Sequence, residues 1–228
     1  MFCEKIGVSK RDQLMDIQLM EWCVRQDLNA RSNRYMVVED PIKVTLTNWE
    51  PGKVEWFDCP LNPADPEGAS RKVPFTGELY ISRADFMEDA PKKFFRMTPG
   101  KEVRLKNAYI VKCTGCEKDA EGNITEIFAE YDPLSKSGLE GANRKVKGTL
   151  HWVSADMAVK AEARLYESMM LDNPDDPNGE MIMNPNSIEV CPECYVEPSV
   201  KDAKPGDRFQ FMRNGYFCVD TKDTTADR

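Results

Sequence analysis

Short segments in which apolar and polar residues alternate recur along most of this 228-residue sequence, and turn-forming residues separate them. Ile42, Val44 and Leu46 alternate with polar neighbours, and the segment 73–81 repeats the pattern. A period of two places the apolar side chains on one face of a β-strand. Many short strands with regular turn signals are typical of a closed β architecture. We therefore expect a mainly β fold, either a barrel or a sandwich.

The first 29 residues depart from this pattern and predict a helix. Ser9 and Asp12 resemble a capping box, in which a side chain satisfies a free backbone N–H at the helix start. The apolar residues that follow recur at helical spacing, namely Leu14, Ile17, Met20, Val24 and Leu28. A single helix cannot bury such a stripe by itself. We therefore expect its partner surface to lie outside this segment.

A basic island from Lys92 to Lys112 stands out, because the chain as a whole carries a formal net charge of -8. Its second half, from Val103 to Val111, alternates as a strand does, after the turn signal Thr98-Pro99-Gly100. The acidic balance argues against indiscriminate binding of nucleic acid. A local basic field is instead typical of a site that holds a polyanion at one place. The alternative is an ordinary solvated strand face.

The cysteines leave two possibilities open. Cys113 and Cys116 form one Cys-x-x-Cys pair, and Cys191 and Cys194 form another, so together they have the stoichiometry of a structural zinc site. The gap between the pairs is far longer than in zinc ribbons. No secretory leader is visible, so we expect free thiols in a reducing compartment. His151 is the single histidine, which leaves almost no material for histidine-based catalysis.

An ordered set of phrases extends over nearly the whole chain. They include Asp40-Pro41-Ile42-Lys43-Val44, Arg83-Ala84-Asp85-Phe86, Gly100-Lys101-Glu102-Val103-Arg104-Leu105, Arg144-Lys145-Val146-Lys147-Gly148 and Gly215-Tyr216-Phe217-Cys218. Each phrase alone is weak, but the set in register is specific. It resembles the C-terminal, anticodon-binding region of bacterial-type glutaminyl-tRNA synthetases, which are class I enzymes.

The resemblance implies two β-barrels that bind the tRNA anticodon, preceded by a short helical linker. Residues 1–38 would be the linker to a catalytic domain that we expect to be missing here. Residues 39–91 with 179–228 would form the proximal barrel, and residues 92–178 the distal barrel. The chain would then be part of a ligase but catalytically inactive, with no catalytic residue and no metal or other cofactor of its own.

The same resemblance implies the partners. They would be glutamine tRNA and the enzyme's own catalytic domain, which would use ATP and Mg. We expect a monomeric, cytoplasmic protein that does not bind DNA. We also expect no binding to membranes, because no apolar run approaches the length of a membrane span. Leu134-Ser135-Lys136-Ser137 imitates a catalytic loop of the family, but it lacks the nucleotide-binding context and is read as a coincidence.

Individual residues inherit roles from the resemblance. Arg34, Gln210 and Arg213 would surround the middle anticodon base, a uracil, and Arg96 would read the third base, a guanine. Single-stranded bases are recognised by satisfying their exposed edges, to which the planar fork of arginine and the amide of glutamine are suited. Gln210 and Arg213 also lie on or beside a hairpin that the dipeptide Asn214-Gly215 predicts.

Other positions would have supporting roles in binding. Arg104 and Lys106 would lie near the first base, and Lys106 replaces a usual arginine, so we expect looser reading of that base. Asn29 would be a supporting polar group. The remaining candidates are Lys93 in the basic island and two residues before the helix, Lys10 and Arg11, which would contact the inner corner of the tRNA or serve only in helix capping.

Two alternative functions remain open from the sequence. The first is the barrel region of a related glutamyl-tRNA synthetase, which shares the two barrels. The second is a zinc-stabilised RNA-binding module built on the two Cys-x-x-Cys pairs.

Overall fold

The structure is a computed structural model that describes residues 1–11, 15–65, 67–175 and 179–225. Within these ranges the chain forms two helices, α1 (Phe2–Ile6) and α2 (Ile17–Arg31), followed by strands. The strands are β1 Asn33–Tyr35, β2 Val37–Glu39, β3 Pro41–Leu46, β4 Glu55–Pro60, β5 Ser70–Phe75, β6 Glu78–Ser82, β7 Glu102–Leu105, β8 Ile110–Lys118, β9 Ile124–Tyr131, β10 Thr149–Leu150, β11 Val153–Ser154, β12 Val159–Tyr166, β13 Met170–Leu171, β14 Ile182–Met183, β15 Ile188–Val196, β16 Arg208–Phe211 and β17 Gly215–Cys218. The prediction of a mainly β fold after a helical segment is confirmed.

The N-terminal segment is two helices rather than one, so the prediction of a single helix over residues 1–29 is wrong. Gly7, with a φ of 72°, ends α1, because glycine adopts the left-handed conformation easily. The carboxylate of Asp16 caps α2 by accepting a hydrogen bond from the N–H of Gln18 at 2.9 Å. The predicted capping residue Asp12 lies outside the described residues. Ile17, at the start of α2, is 58% exposed.

The largest sheet has seven strands in the order β10-β7-β8-β9-β3-β6-β11. Most neighbours are antiparallel, but β3 runs parallel to β9. The inward side chains of β3, which are Ile42, Val44 and Leu46, are buried as the alternation predicts. They pack with aromatic rings such as Trp152 and Phe75, whose centroids lie 4.9 Å apart. This sheet therefore surrounds the main hydrophobic core.

A second, smaller core combines β1 and β2 with strands from the C-terminal part of the chain. Strands β12, β15 and β2 form one three-stranded sheet, and β1, β16 and β17 form another. Val37, Cys194, Val196, Phe209 and Phe211 are the buried residues of this core. Neither α1 nor α2 has the length and apolar character that a membrane-crossing helix needs, as far as the described residues show.

The basic island is a hairpin rather than one continuous strand. β7 ends at Leu105. β8 begins at Ile110 and pairs antiparallel with β7. Asn107 in the turn has a φ of 59°, a left-handed conformation that asparagine tolerates better than most residues. The predicted strand from Val103 to Val111 is therefore wrong in its middle, where the chain reverses direction.

The seven-stranded sheet also connects segments that the predicted barrel boundaries separate. Strands β3 and β6 come from residues 39–91, whereas β7, β8 and β9 come from residues 92–178. The parallel pairing of β3 with β9 joins the two segments by backbone hydrogen bonds. The division of the chain into a linker and two barrels at those boundaries stays a prediction.

Candidate nucleic-acid interface

Two predicted site residues, Arg96 and Arg213, meet at one carboxylate. Both guanidinium nitrogens of Arg213 donate to the two carboxylate oxygens of Asp85, at 3.0 and 3.1 Å. The Nε of Arg96 lies 2.7 Å from the same carboxylate. The Asp85 side chain is only 6% exposed, whereas those of Arg96 and Arg213 are 38% and 39% exposed. The buried acid thus holds two arginines at the surface in fixed positions.

His151 lies behind this pair of arginines. It is 6% exposed, and burial together with the positive charges of Arg213 and Lys106 lowers its pKa to about 4. The imidazole is therefore neutral at physiological pH. We call Asp85, Arg96, Arg213, His151 and Lys106 the Asp85 cluster. Its net charge at pH 7 is positive, because three cationic side chains accompany one carboxylate.

A second group of side chains forms a row across three strands. Arg34 of β1 is the register partner of Gln210 on β16, and Gln210 is the partner of Tyr216 on β17. The guanidinium of Arg34 donates to the side-chain oxygen of Asn29 at 2.8 Å, and the Tyr216 hydroxyl donates to that oxygen at 3.4 Å. We call Arg34, Gln210, Tyr216 and Asn29 the Arg34 row. It presents donors and acceptors side by side, three of them on strands and Asn29 on α2.

The Arg34 row has one further feature that fits a ligand. The Nε of Arg34 is buried and has no hydrogen-bond partner among the described residues. A buried donor without an acceptor is unfavourable. The Arg34 side chain would have to turn outward for an acceptor on a partner molecule to reach this atom.

The turn between β16 and β17 joins the two groups. The hairpin that Asn214-Gly215 predicts is present, but Phe211 pairs with Gly215, so residues 212–214 form the loop. Arg213, rather than the glycine, takes the left-handed conformation, with a φ of 74°. The side chain of Asn214 hydrogen-bonds Glu39, whose pKa is raised by burial. One hairpin therefore carries Gln210, Tyr216 and Arg213.

Other predicted residues are placed differently. Arg104 donates to the backbone carbonyls of Ala142 and Arg144, at 2.5 and 3.1 Å, and so holds a neighbouring loop. Lys93 is exposed and lies in the segment before Arg96. Lys93 therefore lies at the surface without an ion pair to any described residue, and Arg104 has an intramolecular role.

Lys10 and Arg11 are both exposed, and the backbone N–H of Arg11 donates to the Ser9 hydroxyl at 3.1 Å. This contact lies before the described start of α2 at Ile17.

The structure does not bring the four cysteines of the possible zinc site together. Cys113 and Cys116 lie on β8 against the main core, whereas Cys191 and Cys194 lie on β15 in the second core. Among the described residues no group of three or more His, Cys, Asp or Glu side chains could hold a metal ion. All eight cysteines are free thiols.

An arginine outside the predicted set is fully committed to a buried ion pair. Arg71 donates to both carboxylate oxygens of Glu197, at 2.6 to 3.0 Å, and to the carbonyl of Pro60 at 2.8 Å. Glu197 is fully buried and also accepts from the N–H of Met36 at 2.7 Å. The Arg71 guanidinium lies 5.1 Å from the ring centre of Tyr35. This pair supports β1 from behind, next to Arg34.

Sequence reasoning missed three members of the interface. Asp85 was visible only as part of a phrase, and one of its two partners, Arg213, lies 128 residues further along the chain. Tyr216 was likewise visible only as part of a phrase, and its place beside Gln210 follows from the pairing of β16 with β17. His151 was noted for its isolation, and its place behind two arginines has no sequence signal.

The sequence matches known families and proteins over most of its length. Residues 32–132 match a family model described as tRNA synthetases class I (E and Q), anti-codon binding domain, and residues 149–220 match a second model with that description. Glutamine–tRNA ligase of Clostridium perfringens is 47% identical, covering 99% of this chain and 41% of the relative. The corresponding ligase of Clostridium kluyveri is 45% identical, covering 97% of this chain and 40% of the relative.

The ligase of Citrobacter koseri is 47% identical, and the match covers 100% of this chain and 41% of that protein. The chain thus spans about 41% of the length of the curated relatives it matches.

Proposed function

The chain belongs to the family of anticodon-binding domains of class I tRNA synthetases of the E and Q type, and we propose that it reads the anticodon of glutamine tRNA within a longer ligase. The relatives at 45% and 47% identity are glutamine–tRNA ligases, which supports glutamine over glutamate. The region contributes recognition, and the joining of glutamine to tRNA belongs to the longer protein.

One observation carries the proposal: the Arg34 row and the Asp85 cluster are joined by a single hairpin. Uracil exposes two acceptor oxygens and one N–H donor along its edge. The Gln210 amide can donate and accept, and the guanidinium of Arg34 donates. The N7 and O6 of guanine are the acceptors that an arginine fork contacts with two bonds, and Arg96 offers such a fork. The surface therefore suits adjacent uracil and guanine.

The third anticodon base separates the two tRNA families. The genetic code gives glutamine anticodons guanine there and glutamate anticodons cytosine, while both have uracil in the middle. Cytosine presents an amino donor where guanine presents acceptors, so it repels an arginine. Arg96 in the Asp85 cluster therefore supports glutamine tRNA as the partner.

The rest of the functional assignment concerns the longer protein. ATP and Mg would be bound by its catalytic domain, and the exposed stripe of α2 would contact that domain. We propose a monomeric cytoplasmic enzyme, whose only nucleic-acid partner is tRNA.

The test compares three anticodon stem-loops at two salt concentrations. They are the glutamine loop, the same loop with its middle uracil changed, and the same loop with its third guanine changed to cytosine. Each change should weaken binding about tenfold, or ~1.4 kcal/mol, because each removes edge contacts. Only the ratio counts, since the basic surface binds any RNA in a salt-dependent way.

Two variants complete the design. Arg213→Ala should abolish the preference for the glutamine loop over the two altered loops. Lys72→Ala should keep this preference, because Lys72 pairs with Asp58 on an exposed strand face. Equal affinity for all three loops in the wild-type chain would contradict the proposal.

A further inference from the structure

A pocket borders the Asp85 cluster and shares Arg96 with it. It has a volume of about 350 Å³ and is lined by Lys92 and residues 94–96, 101–103 and 145–148. Arg96 lines it on one side, so the pocket continues the surface of the Asp85 cluster. We call it the Phe95 pocket.

The pocket depends on a close backbone approach at Gly148. A Cβ atom at this position would lie 2.6 Å from the carbonyl oxygen of Phe95 and 3.2 Å from a methyl group of Val103. The carbonyl of Gly148 accepts a hydrogen bond from the N–H of Arg104 at 2.8 Å. The absence of a side chain therefore lets the segment of Phe95 rest against the segment of Lys147.

Four of the charged side chains around the pocket are lysines. Lys92, Lys101, Lys145 and Lys147 are exposed, and none forms an ion pair with a residue that the structure describes. The one carboxylate of the lining, Glu102, is held by Arg144 at 2.9 Å. The pocket therefore offers four free ammonium groups to an anion.

Phe95 adds an aromatic surface to these charges. Its side chain is 45% exposed, and the Nζ of Lys147 lies over its ring at 5.2 Å from the centre. An exposed phenylalanine in contact with a lysine is a poor element of a hydrophobic core. Aromatic rings beside lysines are instead the platforms on which single-stranded nucleic acids stack.

We propose that the Phe95 pocket binds one unpaired base of the RNA loop, stacked on the Phe95 ring, with the flanking phosphates held by the surrounding lysines. This inference rests on the proposed function. The ammonium of Lys147 can move from the Phe95 ring to a phosphate oxygen, because it forms no ion pair with a carboxylate of the described residues. Stacking tolerates any base, so the pocket adds affinity without strong selection.

The experiment uses stem-loops that carry 5-iodouridine at one loop position at a time, because this base crosslinks efficiently to a stacked aromatic ring. After irradiation, peptides are mapped by mass spectrometry. One loop position next to the bases read by the Asp85 cluster should crosslink to Phe95. Absence of a Phe95 crosslink from every loop position would overturn the proposal.

A pair of variants measures the contribution of stacking. Phe95→Leu should weaken binding of the glutamine loop about tenfold, as expected for the loss of one stacked base. Trp56→Leu is the matched control, because Trp56 is also an exposed aromatic residue, at 48%, but lies on β4. An equal effect of both substitutions would contradict the proposal. Thermal unfolding of each variant verifies that the fold is kept.

The outcome separates this inference from the proposed function. Phe95→Leu should lower affinity for all three stem-loops by the same factor and leave their ratios unchanged. If the ratios persist in the wild type but Phe95→Leu binds as tightly, the pocket assignment fails and the anticodon assignment stands. If the wild type shows no preference among the loops, the anticodon assignment fails.

Discussion

Arg71 and Arg213 both meet a carboxylate through two or more hydrogen bonds, yet their surroundings are opposite. The Arg71 side chain is 5% exposed and its partner Glu197 is fully buried. Arg213 is 39% exposed, although its partner Asp85 is only 6% exposed and is thus about as buried as Arg71. Glu197 serves one arginine and a backbone N–H, whereas Asp85 serves two arginines from distant parts of the chain.

The difference shows how one interaction type serves two purposes. A fully buried pair has no access to water or ligand, so breaking it leaves an uncompensated charge and costs several kcal/mol. A half-exposed pair contributes less to stability because water can replace either partner. Its buried acid nevertheless fixes the directions of the outer arginines. We therefore expect stability to depend on the Arg71 site and base recognition on the Asp85 cluster.

The largest effect should come from Glu197→Gln. The substitution keeps the shape and an acceptor for Met36, but it leaves Arg71 as an unpaired buried charge. We expect unfolding to become easier by about 3–5 kcal/mol. Urea unfolding of the two proteins measures this difference directly.

The control for that change is Asp58→Asn. Asp58 pairs with Lys72 at 2.7 Å, and both side chains are 61% exposed. An exposed pair contributes only about 0–1 kcal/mol. A loss of the same size in both variants would mean that burial does not distinguish the two kinds of site.

A smaller effect should appear in the pH dependence of stability, through His151. Its pKa is about 4 in the folded chain, below its ordinary value of 6.5, because of burial and the nearby Arg213 and Lys106. Between these pH values the unfolded chain binds a proton that the folded chain does not, so stability is lost as the pH falls. From pH 7 to pH 5 the loss should be ~2 kcal/mol.

His151→Gln isolates this contribution, because glutamine does not titrate. Between pH 7 and pH 5 the free energy of unfolding of the variant should fall by ~2 kcal/mol less than that of the wild type. Urea unfolding at both pH values gives the comparison. Parallel pH profiles for the two proteins would show that His151 is not held neutral beside the arginines.

Local sequence patterns predicted the strands and failed where distant segments meet. The alternation of β3 and the hairpin at Asn214-Gly215 were predicted and are confirmed, since both depend on neighbouring residues. The parallel pairing of β3 with β9 has no local signal. The turn between β7 and β8 depends on Asn107 at a positive φ, a conformation that most residues other than glycine disfavour.

The same limit applies to the candidate site. The resemblance supplied Arg34 and Gln210, which the structure places in register across β1 and β16. It did not supply Asp85, which stands two residues after Arg83 in one of the quoted phrases but pairs with Arg96 and Arg213. Arg83 instead lies near Asp40, at 3.4 Å, and donates to the carbonyl of Ile124. The acid that organises the cluster is therefore recognisable only once the chain is folded.

The smallest free-energy change should follow Asp85→Asn, and it should appear in recognition. Asparagine keeps the shape but not the charge that orients Arg96 and Arg213. The preference for guanine over cytosine at the third anticodon base should fall by about tenfold, or ~1.4 kcal/mol. Affinity for the cytosine loop should not fall, because removing an acid makes the surface more positive.

Glu197→Gln should therefore mainly reduce stability, whereas Asp85→Asn should mainly reduce base recognition. Asp85→Asn should destabilise the fold less than Glu197→Gln, because Arg96 and Arg213 can turn toward water. Asp58→Asn again serves as the control, since it removes one carboxylate charge from an exposed strand pair. It should raise the positive charge equally and leave the base preference unchanged. If Asp85→Asn retains the full preference for guanine, the arginines are oriented by something other than Asp85, and the contrast between the two sites reduces to burial alone.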